Sequence, residues 1–177
     1  MLVARSWVMS WCLYRVYGIR LIGPPDEQVW YFAYGANMHG SAFCGWRGMS
    51  PLEWRPGRVH GYQLRFNLPG WPRGRAAPAN LHAHPQAEVW GVLYAITRRD
   101  LLRLDASEGV PWWRYRPLWI DAEDAAGNRL RAATYVAQGN EIDSRPSLRY
   151  ITLLREGARA HGLPDHYVRF LERIEHA

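Results

Sequence analysis

The stretch VWYFAYGANM, residues 29–38, carries an apolar run straight into Tyr34-Gly35-Ala36-Asn37. A small turn at a strand end leaves backbone N–H groups free to converge. Such a nest can hold an anion or a developing oxyanion. Gly35 permits a positive φ or the close approach of a ligand. The same four residues also fit an ordinary glycine turn that only closes a strand.

A second candidate is Glu108, in LDASEGV. It falls at the end of a short predicted helix, where the negative pole of the helix dipole disfavours a carboxylate. A carboxyl held partly protonated suits proton transfer. An exposed Glu in a mildly unfavourable place is the alternative. Tyr115 and Tyr150 lie in Arg-rich polar surroundings and read either as boundary aromatics or as hydroxyls lining a pocket. His82 and His84, in LHAHP, have no Cys nearby and no H-E-x-x-H spacing, so no metal site is expected. Cys44, near Trp46 and Arg47, is read as a quiet, half-buried thiol rather than a nucleophile. No P-loop, Rossmann glycine set or G-x-S-x-G elbow occurs.

These residues need elements to position them. Residues 29–34 read as a buried strand, followed by a Gly- and Ser-rich stretch to residue 51 with a possible short helix at its start. Residues 58–67 and 88–96 read as strands, separated by a long Pro-, Gly- and Arg-rich loop over 68–85. Thr97 is the expected cap of a short helix, in a T-x-x-D pattern with Asp100, and Leu101, Leu102 and Leu104 form its apolar face. Gly109 ends it in a left-handed conformation. Residues 113–120 and 129–137 pair around a Gly127-Asn128 turn. Two helices close the chain. The first starts near Ser144 and Pro146 and carries Leu148, Ile151, Leu154 and Ala158. The second opens at Pro164 and carries Val168, Leu171 and Ile174. Strands first and helices last argue for an α+β fold.

Length and composition bound the function. The 177 residues fit one domain, and 48% hydrophobic residues with ten Trp and ten Tyr rule out a disordered chain. The net charge of +6 comes from Arg without any Lys, scattered and interleaved with acids, which argues for solvated faces rather than a nucleic-acid track. Two cysteines, Cys12 and Cys44, are too few for a disulfide framework and fit a reducing cytoplasm. Residues 1–28 are apolar, but Arg5, Arg15 and Arg20 interrupt them, so neither a signal peptide nor a membrane span is expected. They are read as an extension outside a domain spanning 29–177, such as an overcalled start codon would add. An edge strand or amphipathic helix is the alternative.

Taken in order, YFAYGANM, EVWGVLYAITRRDLLRLDASEGV and RPSLRYITLLREGARAHGLPDHYVRFLERI resemble the gamma-glutamylcyclotransferase (AIG2-like) family over residues 29–174. The resemblance implies a compact mixed β-barrel flanked by helices, with a pocket where the first strand ends. It implies that Tyr34, Gly35, Ala36 and Asn37 form the substrate loop, that Glu108 is the general acid/base, and that Tyr115 and Tyr150 line the pocket. The implied substrate is a small gamma-glutamyl compound, cyclised to 5-oxoproline in an acyltransferase- or lyase-type amide cleavage without cofactor. The L-D-x-x-E-G helix end is closest to the branch acting on gamma-glutamyl amino acids. Ala36 stands where the family commonly has Ser, which keeps the backbone N–H and loses a hydroxyl. Two other readings remain open: a binding module that has kept the pocket without catalysis, and a cyclotransferase for a gamma-glutamylated biosynthetic intermediate.

Overall fold

The computed structural model describes residues 23–69 and 77–177. Five strands close into a barrel: β1 (Gln28–Ala33), β2 (Glu53–Arg65), β3 (Asn80–Thr97), β4 (Arg116–Asp124) and β5 (Arg129–Val136). Around the barrel the order is β1-β3-β2-β4-β5. All neighbours are antiparallel except β1 and β5, which meet in parallel at Trp30–Ala132 and Tyr31–Ala133. That short seam is reinforced by Thr134, whose buried hydroxyl donates to the Phe32 carbonyl at 2.8 Å. The helices are α1 (Arg98–Ser107), α2 (Leu148–Ala160) and α3 (Asp165–Arg173). The α+β barrel expected from the motifs is the fold observed.

Continuous apolar runs, such as Val89–Ile96 of β3, build the core. Val59, Val89, Leu93 and Phe32 are fully buried within the barrel wall, and Leu101, Leu104, Ile151, Leu154 and Leu171 bring the helices onto it. Removing side chains of this size from water supplies the main stabilising term, about 1.5–3 kcal/mol for each aliphatic or aromatic residue. Two apolar-face expectations need correcting: Leu102 is only half-buried and Leu148 is exposed.

Several boundaries differ from expectation for physical reasons. Asn80–Ala83 is strand, not loop, because it pairs with Tyr62–Arg65 across an irregularity where Gly61 takes φ +80°. Residues 70–76 of the expected loop lie outside the described residues. β2 starts five residues early, at Glu53, and tolerates Pro56. β4 starts late because Val110–Trp112 form a 3₁₀ turn and Trp113 is left-handed at φ +60°. The helix caps follow their chemistry. The Thr97 hydroxyl accepts from the Asp100 amide at 3.1 Å, and Gly109 and Gly162 are left-handed at φ +73° and +62°. The α2 cap is Ser147 rather than Ser144, whose amide instead bonds to Phe66 in the barrel.

Residues 1–22 lie outside the described residues. Just after them, the Arg98 and Arg99 amides donate to the Glu27 and Pro25 carbonyls at 2.8 and 2.9 Å. Arg98 and Arg99 also pair with Glu27 and Asp26, and Arg103 with Asp100, so this basic cluster is met by acids from its own surface. Among the described residues no helix is long and apolar enough to cross a membrane.

Candidate active site

At the end of β1 the chain turns without bulk. The Tyr34 hydroxyl is buried and donates to the Tyr135 carbonyl at 2.5 Å, fixing the loop to β5. Residues Ala36–Met38 then form one 3₁₀ turn, closed by the Met38 amide donating to the Gly35 carbonyl at 2.9 Å. Two glycines make room for it. A Cβ on Gly35 would stand 2.9 Å from the Tyr150 hydroxyl, and one on Gly157 would stand 2.7 Å from the Met38 backbone. Helix α2 therefore reaches the loop from both positions: Gly157 admits its backbone, and Tyr150 supplies a hydroxyl that accepts the amides of Ala79, at 3.0 Å, and Ala36.

The turn borders a cavity of about 190 Å³, large enough for a glutamate-sized guest. Its lining includes all seven residues singled out from the sequence: Tyr34, Gly35, Ala36, Asn37, Glu108, Tyr115 and Tyr150. Their separation in the chain, from 34 to 150, makes this convergence a product of barrel closure. Cys44 and the two histidines do not line it. Cys44 is exposed, not half-buried as expected, because the single π-type turn of Ser41–Trp46 buries Ala42 and Phe43 instead. His82 lies on β3 opposite Gln63, and its ring approaches only the Ala83 carbonyl.

Glu108 caps α1, its amide donating to the Leu104 carbonyl at 2.8 Å, and only 9% of the residue is exposed. Its Oε1 accepts from Asn37 Nδ2 at 2.9 Å and pairs with the Arg47 guanidinium at 2.9 Å. Both partners are themselves held. Asn37 Nδ2 also donates to the Tyr31 hydroxyl at 2.9 Å, and Arg47 donates to Ser107 Oγ at 2.8 Å. The carboxyl is thus fixed from two sides, by a neutral donor from the loop and a cation from the following turn. The helix end is therefore not the only source of field at this carboxyl, because the Arg47 cation stands beside it.

Five phenols line the same space: Tyr31, Tyr34, Tyr115, Tyr135 and Tyr150. Burial, the largest cause in each case, raises all five hydroxyls above their ordinary range, Tyr150 to about 12. They remain neutral near pH 7 and present O–H groups without charge. The Tyr115 hydroxyl makes no hydrogen bond among the described residues and borders the cavity.

Several residues of this site were not found by sequence reasoning, among them Tyr31, Arg47 and Asp105. Arg47 has no local signal for its role, because its partners Ser107 and Glu108 lie at the far end of α1, and Tyr31, which accepts from Asn37, reads only as one more strand aromatic. Asp105 does have a local signal: it stands one helical turn before Glu108 and shares its face. It is buried at 2% exposure, accepts from the Tyr135 hydroxyl at 2.7 Å through Oδ1, and has no hydrogen-bond partner at Oδ2. Burial, opposed by the Tyr135 bond and reinforced by the Glu108 charge, holds its carboxyl well above the ordinary carboxylate range.

A carboxyl raised on folding stabilises fully below its unfolded value, near 3.9. That contribution is lost as pH climbs toward the folded value. Asp105→Asn removes this slope. Urea unfolding at pH 4 and pH 8 should show the wild type losing more stability across that interval than the variant. The expected result is a steeper fall in stability with pH for the wild type than for the variant. Parallel behaviour of the two proteins would mean that Asp105 does not titrate differently on folding.

The AIG2-like family profile matches residues 88–171, from the second half of β3 to the end of α3. A gamma-glutamylcyclotransferase of Bos taurus is 29% identical over 155 residues, covering 84% of this chain and 80% of the bovine one. That of Homo sapiens is 28% identical over 159 residues, covering 86% and 82%. A solved gamma-glutamyl cyclotransferase structure superimposes with a TM-score of 0.76 at 25% identity, over 85% of this chain and 90% of that one. A Homo sapiens crystal structure superimposes with a TM-score of 0.78 at 26% identity, over 86% and 90%. Fold, sequence and motif order point the same way: the chain is similar to gamma-glutamylcyclotransferases over most of its length, and over residues 88–171 to the AIG2-like family.

Proposed function

We propose that this chain is a gamma-glutamylcyclotransferase that cyclises the gamma-glutamyl group of a small substrate to 5-oxoproline and releases the attached amine or amino acid. The observation that carries the reading is the buried Glu108 carboxyl, held by Asn37 and Arg47 on the wall of the cavity that residues 34–37 also line.

The substrate brings its own nucleophile. Its α-amine attacks its own γ-carbonyl carbon, a C–N bond closes the five-membered ring, and the original amide C–N bond breaks. Glu108 takes a proton from the attacking amine and returns it to the departing nitrogen. Its two-sided anchoring suits that shuttle, since a carboxyl that swings freely would add a search to each transfer. The oxygen that becomes negative needs donors aimed at it. The Ala36 and Met38 amides are committed to Tyr150 and Gly35, so this work falls to the remaining amides of the loop and to the Tyr115 hydroxyl. Neutral phenols around the site allow hydrogen bonds to the substrate's charged groups without adding charge of their own.

The test is direct. Purified protein incubated with gamma-glutamyl dipeptides, glutathione and gamma-glutamylamines should release 5-oxoproline from at least one class. Saturable binding of these compounds with no 5-oxoproline would replace the reading with that of a binding module.

A further inference from the structure

We propose that Arg114 is the specificity residue of this site: where the leaving group is an amino acid, its guanidinium binds that group's carboxylate and so separates gamma-glutamyl amino acids from gamma-glutamylamines. The inference rests on the cyclotransferase reading and deepens it.

Two cations border the cavity, Arg47 and Arg114. Arg47 is already occupied by Glu108 and Ser107. Arg114 has no such commitment: its guanidinium makes no ion pair or hydrogen bond among the described residues. Its position is nevertheless restrained. The 3₁₀ turn after Gly109, the left-handed Trp113 at φ +60° and a bond from the Arg114 amide to the Gly109 carbonyl at 3.1 Å fix its backbone. The aliphatic stem then lies over Gly109, so close that a Cβ there would meet Arg114 Cβ at 3.0 Å and Cδ at 3.4 Å. A held stem and an unpaired guanidinium, on a residue that lines the cavity, make a poor structural device and a good recognition device.

Depth decides which carboxylate it meets. Glu108 is buried, whereas Arg114 is exposed, so the two mark the inner and outer parts of one cavity. The reacting amine and carbonyl must lie against Glu108. Whatever is attached beyond the amide nitrogen extends outward, past Arg114. An amino acid leaving group carries a carboxylate two bonds from that nitrogen; an amine leaving group carries none. A guanidinium presents its donors as a planar fork matched to a carboxylate.

The matched pair of substrates is gamma-glutamylalanine and gamma-glutamylethylamide, which differ only by that carboxylate. The wild type should prefer gamma-glutamylalanine by about tenfold in kcat/KM, the size of one charge-assisted hydrogen bond at a partly exposed site. In Arg114→Gln the ratio should fall to about twofold or less, through KM of gamma-glutamylalanine. Arg114→Lys should restore part of it. Raising salt to 0.5 M should shrink the wild-type ratio and leave the Gln variant's ratio in place, because the contact is screened. An unchanged ratio in Arg114→Gln overturns the assignment. Equal weakening of both substrates also overturns it, since that would place Arg114 on the glutamyl carboxylate common to both. Turnover of either substrate keeps the cyclotransferase reading whatever becomes of Arg114, while turnover of neither removes both.

Discussion

Glu108→Gln is expected to lower kcat for 5-oxoproline release by roughly 10²–10⁴-fold, the range for a positioned acid/base group, with the fold retained. The substitution is nearly isosteric. A glutamine Oε1 still accepts from Asn37 and from the Arg47 guanidinium, so both contacts now made at 2.9 Å survive as hydrogen bonds, while the ion pair is lost. What disappears is the ability to take and return a proton. The loss should therefore fall on kcat more than on KM, and the pH profile of any residual rate should flatten. Circular dichroism and a melting scan would establish that the variant folds. A folded Glu108→Gln protein with wild-type turnover would exclude Glu108 as the proton carrier.

Gly91→Ala is expected to be the most damaging single methyl group in the barrel. Gly91 stands in β3 opposite Gly57 of β2, and a Cβ there would collide with the Ala33 carbonyl and lie 2.8 Å from the Phe32 ring. Neither neighbour has slack: Phe32 and Ala33 are fully buried, and Phe32 also receives the seam bond from Thr134. Overpacking of this kind costs about 1–3 kcal/mol, which for a chain of this size lowers Tm by roughly 2–12 °C. The displaced atoms are those immediately before Tyr34, so the loop moves with them. A misplacement near 1 Å can cost about 10²-fold in rate. The expected result is a lower Tm together with a fall in kcat larger than the stability loss alone accounts for at assay temperature. A Gly91→Ala protein with unchanged Tm and rate would show that β1 and β3 can separate at this point without disturbing the site.

The elements whose signals are local were legible in the sequence. The Thr97 cap, the left-handed Gly109 and the apolar run of Val89–Ile96 in β3 each depend on neighbours within a few residues. Boundaries failed where tertiary pairing overrode local chemistry, as when Asn80–Ala83 joined β2 although Pro78 and Pro85 flank it. The chosen site residues all reached one cavity, but their partners did not announce themselves. Asn37 was selected for its backbone, yet its side chain is what meets Glu108, 71 positions away. Arg47 drew attention only for its proximity to Cys44, while its guanidinium turns to α1. No periodicity encodes such contacts. They follow from the closed ring of strands, which brings the end of β1 against the end of α1.

The parallel meeting of β1 and β5 has a thermodynamic consequence. Only two residue pairs define that junction, and one of its side-chain ties, Tyr34 to the Tyr135 carbonyl, belongs to residues that also face the cavity. A guest in the cavity binds the closed ring and not the parted one, so occupancy adds directly to the work of parting it. Amide protons along Trp30–Phe32 and Ala132–Thr134 should therefore exchange more slowly when the cavity is filled. The weakest join in the wall thus becomes a gauge of whether the chamber is in use.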